Sequence, residues 1–266
     1  MAKITSFIRW AGGKSWLIPY VDQLIDGLDY NNYYEPFMGG ASVFFSLDIP
    51  RQGFLSDLNP DLVNAFCAVR DNPKKIIEYL ELYQYGEEYY YEIRASAPRG
   101  KYQKAARFLY LNANSFNGLY RVNRQGKYNV PYGHKEVKVN YERLFDISKK
   151  LKGTHIVLQD FAEIRDQIVA NDLVFLDPPY TVSKEDTGFV EYNSKLFSLD
   201  DQRRLAGLIE HINNVGAYYI MTNAAHDTIL EIFEGQGTMV ARERNSLIGG
   251  KKSFRGKVKE YIFTNI

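Results

Sequence analysis

The stretch Asp177-Pro178-Pro179-Tyr180 places a carboxylate, a backbone carbonyl and an aromatic ring directly after a predicted buried strand, 173–176. Two consecutive prolines end that strand, because proline has no N–H and holds φ at about −65°. Open α/β sheets bind ligands at the carboxyl ends of their strands. Asp177 and the Pro178 carbonyl would be two acceptors beside a stacking ring, which suits a planar base with an exocyclic amino group. The alternative is a Pro-Pro turn without a chemical role.

A second constellation joins a predicted strand at 33–37 to a short helix through Met38-Gly39-Gly40-Ala41-Ser42. Asp57 follows Gly39 by 18 residues, and an acid at about this distance binds ribose hydroxyls in nucleotide-binding βαβ units. The loop lacks the full G-x-G-x-x-G pattern, and its acid Glu35 disfavours a pyrophosphate. A cofactor with a cationic amino-acid end and an adenosine end fits better, and S-adenosylmethionine is such a molecule. The alternative is a structural pair of turn glycines.

Near the N-terminus, Gly13-Lys14-Ser15 imitates the end of a phosphate-binding loop. Ile8 stands where that loop requires its first glycine, so phosphate binding is disfavoured. We expect Lys14 to meet a carboxylate as a point charge instead, with Trp10 as a flat wall.

Composition restricts the class of protein. The 266 residues are 45% hydrophobic and 24% charged, as in ordinary globular chains. A single cysteine, Cys67, excludes an intramolecular disulfide and a cysteine-rich zinc site, and no metal is expected. No signal core and no apolar run of bilayer length is present, so we predict a cytoplasmic protein with no membrane partner.

The formal net charge is only +1, but basic residues concentrate in the segments 121–143 and 242–260. Such local concentration suggests a polyanion site. A solvated charged surface is the alternative for either segment alone. Residues 245–257 also carry three glycines, and a basic loop that closes over such a polyanion is a hypothesis for them.

Alternating strands and helices predict an α/β fold with a mostly parallel, doubly wound sheet. Strands are expected at 33–37, 53–56, 155–160, 173–176, 217–221 and 259–264. Asn59-Pro60 predicts a helix start, and Ser198 with Asp201 forms a predicted capping box. Residues 59–146 are more helical, tyrosine-rich and charged, with a predicted β-hairpin at 120–130, and we interpret them as an insertion.

Several of these stretches occur in one order along the chain: Arg9-Trp10-Ala11-Gly12-Gly13-Lys14, Glu35-Pro36-Phe37-Met38-Gly39-Gly40, Asp57, the hairpin and Asp177-Pro178-Pro179-Tyr180. In this order they resemble the Dam-type family of DNA adenine-N6 methyltransferases, alpha group. The resemblance implies a Rossmann-like methyltransferase sheet with an inserted, mainly helical DNA-recognition domain that carries a β-hairpin. It assigns 1–58 and 147–266 to the catalytic domain and 59–146 to target recognition.

The same resemblance implies roles for individual residues. The catalytic residues would be Asp177, Pro178 and Tyr180, with Tyr180 stacked on a flipped adenine. S-adenosylmethionine would contact Trp10, Lys14, Glu35, Phe37, Gly39, Asp57, Asp160, Phe161 and Asp177. Double-stranded DNA would contact Arg9, Phe116, Asn117, Leu119, Arg121 and Pro131, in a stretch similar to the family's GATC-recognising Asn-Gly-Leu-x-Arg. Arg121 matches the position that pairs with guanine, and His134-Lys135-Glu136-Val137 departs from the family's patterns.

The expected activity is therefore methylation of adenine N6 in duplex DNA, at GATC, by base flipping. Methylation of cytosine N4 is the nearest alternative, and a DNA-binding regulator without turnover is another. A nicotinamide dehydrogenase is disfavoured by Glu35 and the incomplete glycine pattern. Association with the nucleoid through DNA is expected, whereas an accompanying restriction nuclease and the oligomeric state are left open.

Overall fold

A computed structural model describes residues 4–181, 197–245 and 257–266. Their strands are β1 (Tyr33–Glu35), β2 (Gly53–Asp57), β3 (His155–Leu158), β4 (Leu173–Leu176), β5 (Tyr218–Ala224), β6 (Thr238–Asn245) and β7 (Lys257–Thr264). Their α-helices are α1 (Ile18–Leu24), α2 (Ser42–Ser46), α3 (Pro60–Asp71), α4 (Pro73–Leu80), α5 (Glu87–Ala95), α6 (Lys101–Asn114), α7 (Tyr141–Leu151), α8 (Leu199–Val215) and α9 (Asp227–Ile232). Short 3-10 helices lie at Ser15–Leu17, Phe116–Gly118 and Phe161–Gln167.

The strands form one seven-stranded sheet in the order β3-β2-β1-β4-β5-β7-β6. β1 pairs in parallel with both β2 and β4, and β4 pairs in parallel with β5. β7 runs antiparallel to β5 and to β6. The predicted α/β class with a mostly parallel sheet is confirmed.

The described residues form two compact units. The first comprises those of Met1–Ser15, Gly39–Leu47 and Asp57–Leu158, and the second those of Trp16–Met38, Asp48–Ser56 and Gln159–Ile266. The predicted division into a catalytic domain and a recognition domain at 59–146 is a functional assignment, and it stays a prediction.

The first unit is built around α3 and α6, which pack on each other and on the neighbouring helices. Both helices bury small residues, Ala65 and Ala68 on α3 and Ala105 and Ala106 on α6. Asn59 starts α3 as predicted, because its side chain accepts hydrogen bonds from the N–H groups of Asp61 and Leu62 at 3.1 Å.

The second unit buries the all-apolar strand β4 beneath α8 and the Phe161–Gln167 helix. The buried face of α8 consists of Leu205, Leu208, Ile209 and Ile212 at helical spacing. The predicted capping box is confirmed, since Ser198 Oγ accepts from the Asp201 N–H at 3.1 Å and Asp201 Oδ2 accepts from the Ser198 N–H at 2.9 Å. This packing fixes the carboxyl end of β4.

Three local features differ from the sequence expectations. The strand β6 was not predicted, because its charged second half, with Arg242 and Arg244, looks like a solvated segment. The predicted strand at 155–160 ends at Leu158. The predicted hairpin is an antiparallel turn with one isolated bridge, Val122 to Tyr128, without extended strands.

Two further expectations concern segments outside or across the described ranges. The basic loop hypothesised at 245–257 lies outside the described residues apart from its first and last positions. Within the part of the chain that the structure describes, no helix is both long and apolar enough to cross a membrane.

Candidate functional site

The elbow after β4 is anchored to the neighbouring strand. Asp177 is partly buried and Pro178 is buried. The Thr222 hydroxyl on β5 donates a hydrogen bond of 2.7 Å to Asp177 Oδ1. Because β4 and β5 pair in parallel through Leu176 and Met221, Thr222 is one position beyond the residue paired with the end of β4. The carboxylate orientation is thus set by the sheet.

The Tyr180 ring at the other end of the elbow is held through its hydroxyl, which donates a 2.7 Å hydrogen bond to Glu260 Oε2. Glu260 lies on β7 and is fully buried. Its Oε1 accepts a charged hydrogen bond from Arg244 Nε of β6. Burial, together with the carboxylates of Asp177 and Glu260, raises the pKa of Tyr180 well above its ordinary value, so the phenol stays protonated.

The end of β1 also carries a buried acid. Glu35 accepts a 2.8 Å hydrogen bond from the Tyr33 hydroxyl. The pKa of Tyr33 is raised well above its usual value, mainly by burial and also by the neighbouring Glu35 carboxylate. β1 and β4 are parallel neighbours in the sheet, although they are far apart along the chain. Glu35 and Asp177 therefore both lie at the carboxyl ends of these two adjacent strands. The strand order reverses between β1 and β4, and α/β sheets bind ligands at such a point.

An aromatic cluster follows in the same unit. Phe37 stacks on Phe161 with ring centroids 5.2 Å apart, and Phe197 meets Phe37 edge-on at 5.6 Å. The Arg204 guanidinium lies 4.8 Å from the centre of the Phe161 ring and donates a 2.6 Å hydrogen bond to Asp160 Oδ1. Phe161 and Phe197 are buried, so the partly buried Phe37 is the ring of this cluster that presents an apolar face suited to a planar heterocycle.

Asp160 has a local structural role as well. Its carboxylate accepts from the Ala162 N–H at 3.0 Å, and Glu163 reaches back to the Asp160 N–H at 3.0 Å. This capping box starts the Phe161–Gln167 helix. The sequence had predicted Asp160 only as a cofactor contact.

In the first unit, Asp57 is oriented by backbone donors. The N–H groups of Gly39 and Asn59 donate to its two carboxylate oxygens at 3.1 and 2.9 Å. Burial raises the pKa of Asp57 above its ordinary value, although these hydrogen bonds oppose the shift. Gly39 has a φ of +44°, and a Cβ there would lie 2.8 Å from Trp10 Cδ1. Glycine is required at this position for both reasons.

Lys14 is 3% exposed in the same unit. Its Nζ donates to the Gly12 carbonyl at 2.9 Å, and its backbone N–H donates to Ser42 Oγ at 3.1 Å. The expected contact of Lys14 with a carboxylate stays a prediction.

The Trp10 ring is supported from one side by the turn segment. It stacks on Tyr120 at 5.4 Å with an interplanar angle of 29°. The Tyr120 hydroxyl donates a 2.9 Å hydrogen bond to Asp61 Oδ2 at the start of α3. Tyr120 directly precedes Arg121, so one backbone segment carries the support of Trp10 and the predicted guanine contact.

The predicted DNA contacts are largely exposed. Phe116 is 47% exposed, and its N–H donates to the Pro131 carbonyl at 2.9 Å. Asn117, Arg121 and Pro131 are also exposed, and Leu119 is partly buried. The guanidinium of Arg121 is held by the turn itself, because its Nε donates a 2.8 Å hydrogen bond to Asn129 Oδ1.

A buried amide ties two of these segments together. Asn112 Oδ1 accepts from the Arg9 N–H at 2.9 Å, and its Nδ2 donates to the carbonyls of Arg9 and Gly118 at 2.8 and 3.0 Å. Gly118 has a φ of +65°, and a Cβ there would lie 2.4 Å from Arg9 Cδ. The turn thus accepts only glycine where the N-terminal segment crosses it.

A family model for D12 class N6 adenine-specific DNA methyltransferases matches residues 10–247. The chain is also 34% identical over 271 residues to a Type II methyltransferase of Lactococcus lactis subsp. cremoris, covering 97% of this chain and 94% of the relative. It is 31% identical over 268 residues to the DNA adenine methylase of Haemophilus influenzae, covering 96% and 92%. The chain belongs to the D12 class of N6 adenine-specific DNA methyltransferases. The family expected from the sequence motifs is confirmed.

All the predicted site residues of this methyltransferase except Lys14 fall into three groups by their position in the fold. The second unit brings together Glu35, Phe37, Asp160, Phe161, Asp177, Pro178 and Tyr180 along one sheet edge and its aromatic cluster. The first unit joins Gly39, Asp57 and Trp10 in one group. It joins Arg9, Phe116, Asn117, Leu119, Arg121 and Pro131 around the Gly118 turn. The roles of these residues stay predictions.

Sequence reasoning missed the residues that hold the methyltransferase's site residues in place. These supporting residues hydrogen-bond to the predicted site residues or to the side chains that pack on them; they are Thr222, Glu260, Asn112 and Tyr120. Of these, Glu260 was recognisable in the sequence as unusual, because a charged residue precedes the apolar run Tyr261-Ile262-Phe263. Among the described residues, no cluster of His, Cys, Asp or Glu suited to a metal ion is present.

Replacing Gly118 with alanine tests the turn of the methyltransferase. We expect Gly118→Ala to lower the free energy of unfolding by roughly 1–3 kcal/mol, because the new Cβ adopts a strained φ and meets Arg9. Gly126→Ala is the matched control, since Gly126 has a φ of +72° with nothing within 4 Å of the added Cβ. Urea unfolding should show the larger loss for Gly118→Ala. Equal losses in the two variants would contradict the close approach of Arg9.

Proposed function

We propose that this DNA adenine methyltransferase transfers the methyl group of S-adenosylmethionine to N6 of an adenine flipped out of duplex DNA, at GATC. The observation that carries the proposal is the elbow, where Asp177 is oriented by Thr222 and Tyr180 by Glu260. The target sequence rests on the Phe116–Arg121 segment. The name Type II methyltransferase among the relatives leaves other target sequences open.

The elbow suits the chemistry of an adenine amino group. That nitrogen is a poor nucleophile, because its lone pair is conjugated with the ring. Asp177 and the Pro178 carbonyl accept the two amino hydrogens and favour a pyramidal nitrogen. The Asp177 carboxylate then stabilises the positive charge that develops on nitrogen, as preorganised groups do in many active sites. A carboxylate oxygen accepts more than one hydrogen bond, so the Thr222 contact is compatible with this role.

Adenine N6 is out of reach within a stacked duplex, so the base has to leave the helix at a cost of a few kcal/mol. Stacking on the Tyr180 ring offsets about 1–3 kcal/mol of this cost. The raised pKa of Tyr180 keeps the ring neutral and its hydroxyl a donor. The exposed Phe116 ring is suited to fill the gap left in the stack.

Family members generally use S-adenosylmethionine, which supplies an activated methyl group when bound. The residues of this chain fit it. Glu35 is a buried acid suited to a cationic amino-acid end, and Asp57 presents an oriented carboxylate suited to ribose hydroxyls. Phe37, which is backed by the buried Phe161, offers an aromatic surface for the adenine ring. Trp10, Lys14, Gly39 and Asp160 are proposed as further contacts.

The proposal is tested by transfer of a tritiated methyl group to a GATC duplex and to a duplex with a permuted site. Sequencing of methylated bases in DNA from cells that express the protein identifies the target without prior assumption. N6-methyladenine at another sequence would overturn GATC alone. Methyl transfer to cytosine N4 would overturn the proposed chemistry.

Substitution of the acceptor tests the catalytic assignment. Asp177→Ala should lower kcat by about 10² or more, because a transition-state charge loses its stabilising partner. Asp177→Asn should be nearly as impaired, since it keeps the shape but not the charge. Asp166→Ala, which removes an exposed carboxylate of the same unit, is the control and should retain wild-type turnover. Turnover by Asp177→Ala at the wild-type rate would contradict this role.

Substitution of Arg121 tests target recognition. Arg121→Ala should relax discrimination at one guanine by about 1–3 kcal/mol, measured as the ratio of kcat/KM for matched and mismatched duplexes. Arg124→Ala, an exposed arginine in the same turn, should instead weaken binding to all sequences alike. An unchanged mismatch ratio in Arg121→Ala would contradict the assignment.

A further inference from the structure

A fully buried carboxylate lies behind the elbow and has no role in the chemistry described above. Glu260 is 0% exposed and is paired with Ala224 across the β5–β7 ladder. Among the described residues, its contacts include the Tyr180 hydroxyl and the Arg244 guanidinium, which come from different elements. These three side chains are joined by hydrogen bonds in a series that begins at the partly exposed Arg244 and ends at Tyr180 in the elbow.

Stability alone does not explain such a group. Burying a carboxylate is costly unless it is paired and hydrogen-bonded, and a buried ion pair is on balance weak evidence of stabilisation. An apolar residue at position 260 would continue the run Tyr261-Ile262-Phe263 without this cost. The contact that distinguishes glutamate here is the one to Tyr180.

We propose that Glu260 is a positioning residue for methyl transfer: it holds the Tyr180 ring in the orientation that receives the target adenine. This inference rests on the proposed stacking of the adenine on Tyr180. Arg244 is the counter-charge that holds Glu260 in place. Glu260 touches neither the base nor the cofactor and acts only through the tyrosine hydroxyl.

The register of the sheet makes this arrangement possible. Thr222 and Ala224 lie two residues apart on β5, so their side chains project from the same face of the strand. Thr222 holds Asp177 directly, and Ala224 is paired with Glu260, which holds Tyr180. Both functional ends of the elbow are thereby fixed by one pair of adjacent strands. Because residue 224 is an alanine, only a methyl group of β5 lies beside Glu260 at this pair of the ladder.

Orientation matters because an aromatic side chain can adopt several rotamers, and a hydrogen bond from its hydroxyl favours one of them. A misplacement of about 1 Å can reduce a rate by about 10²-fold. The loss should fall on kcat, since the flipped base is presented to Asp177 after the duplex has bound. The Michaelis constant for DNA should change little.

Tyr180→Phe removes the hydroxyl and with it the contact with Glu260, but keeps the stacking ring. We expect its kcat to fall about tenfold, with less than about a twofold change in the Michaelis constant for DNA. Glu260→Leu should lower kcat to a similar extent. Glu260→Gln keeps an acceptor for the hydroxyl and should recover most of the activity. Tyr34→Phe is the control, because it removes another buried tyrosine hydroxyl, bonded to the Gln167 carbonyl at 3.1 Å, and should retain the wild-type kcat.

The double variant Tyr180→Phe/Glu260→Leu decides whether the two residues act together. Its kcat should match that of Tyr180→Phe alone, because the second substitution removes a contact that is already lost. Multiplied losses, or a wild-type kcat in Tyr180→Phe, would overturn the proposal. If Glu260→Leu fails to fold, Glu260→Met and the double variant Tyr180→Phe/Glu260→Met, which also lack the acceptor for the hydroxyl, give the same comparison.

Two readouts separate this inference from the proposed function. Fluorescence of a duplex with 2-aminopurine at the target position, in the presence of S-adenosylhomocysteine, reports the environment of the flipped base without turnover. We expect its intensity in Tyr180→Phe and Glu260→Leu to differ from wild type in the same direction and by the same factor. In the free protein, the shifts in Tm of the single variants should not add in the double variant. Additive Tm shifts would overturn the contact itself, whereas absence of methyl transfer by the wild-type protein would overturn the proposed function and its catalytic consequence together.

Discussion

The parallel pairing of β4 with β1 on one side and β5 on the other is the constraint on which the second unit's site depends. It brings Glu35 and Asp177, distant along the chain, to the same edge of the sheet. It also places Thr222 beside the carboxylate. The fully apolar β4 has to be covered on both faces to be stable, and the resulting rigidity makes the turn after Leu176 a reliable platform for chemistry.

Local signals were sufficient for much of the fold and of the site. Asn59 before Pro60 and Ser198 before Asp201 start helices through contacts within one turn, which sequence alone specifies. The run Leu173–Leu176 is apolar at every position and ends at prolines. Chemistry confined to a short stretch, as in the elbow, is visible for the same reason.

Other features depend on partners that are distant in sequence. β6 was missed because Arg242 and Arg244 resemble surface charges, and Arg244 is explained only by the buried Glu260. The hairpin was overestimated because its alternation extends beyond the single bridge at Val122 that the turn closes. The tie made by Asn112 joins positions 103 residues apart, and no local pattern reports it.

The amide of Asn112 binds the backbone of Arg9 at both its N–H and its carbonyl, and leaves the guanidinium uninvolved. The support of this segment is therefore indifferent to the charged end of residue 9. Only an unbranched stem is demanded there, where it lies on Gly118. Other long, unbranched side chains at position 9 would keep this packing whatever group they carry at the end. A substitution there can therefore change the surface charge without rebuilding the turn.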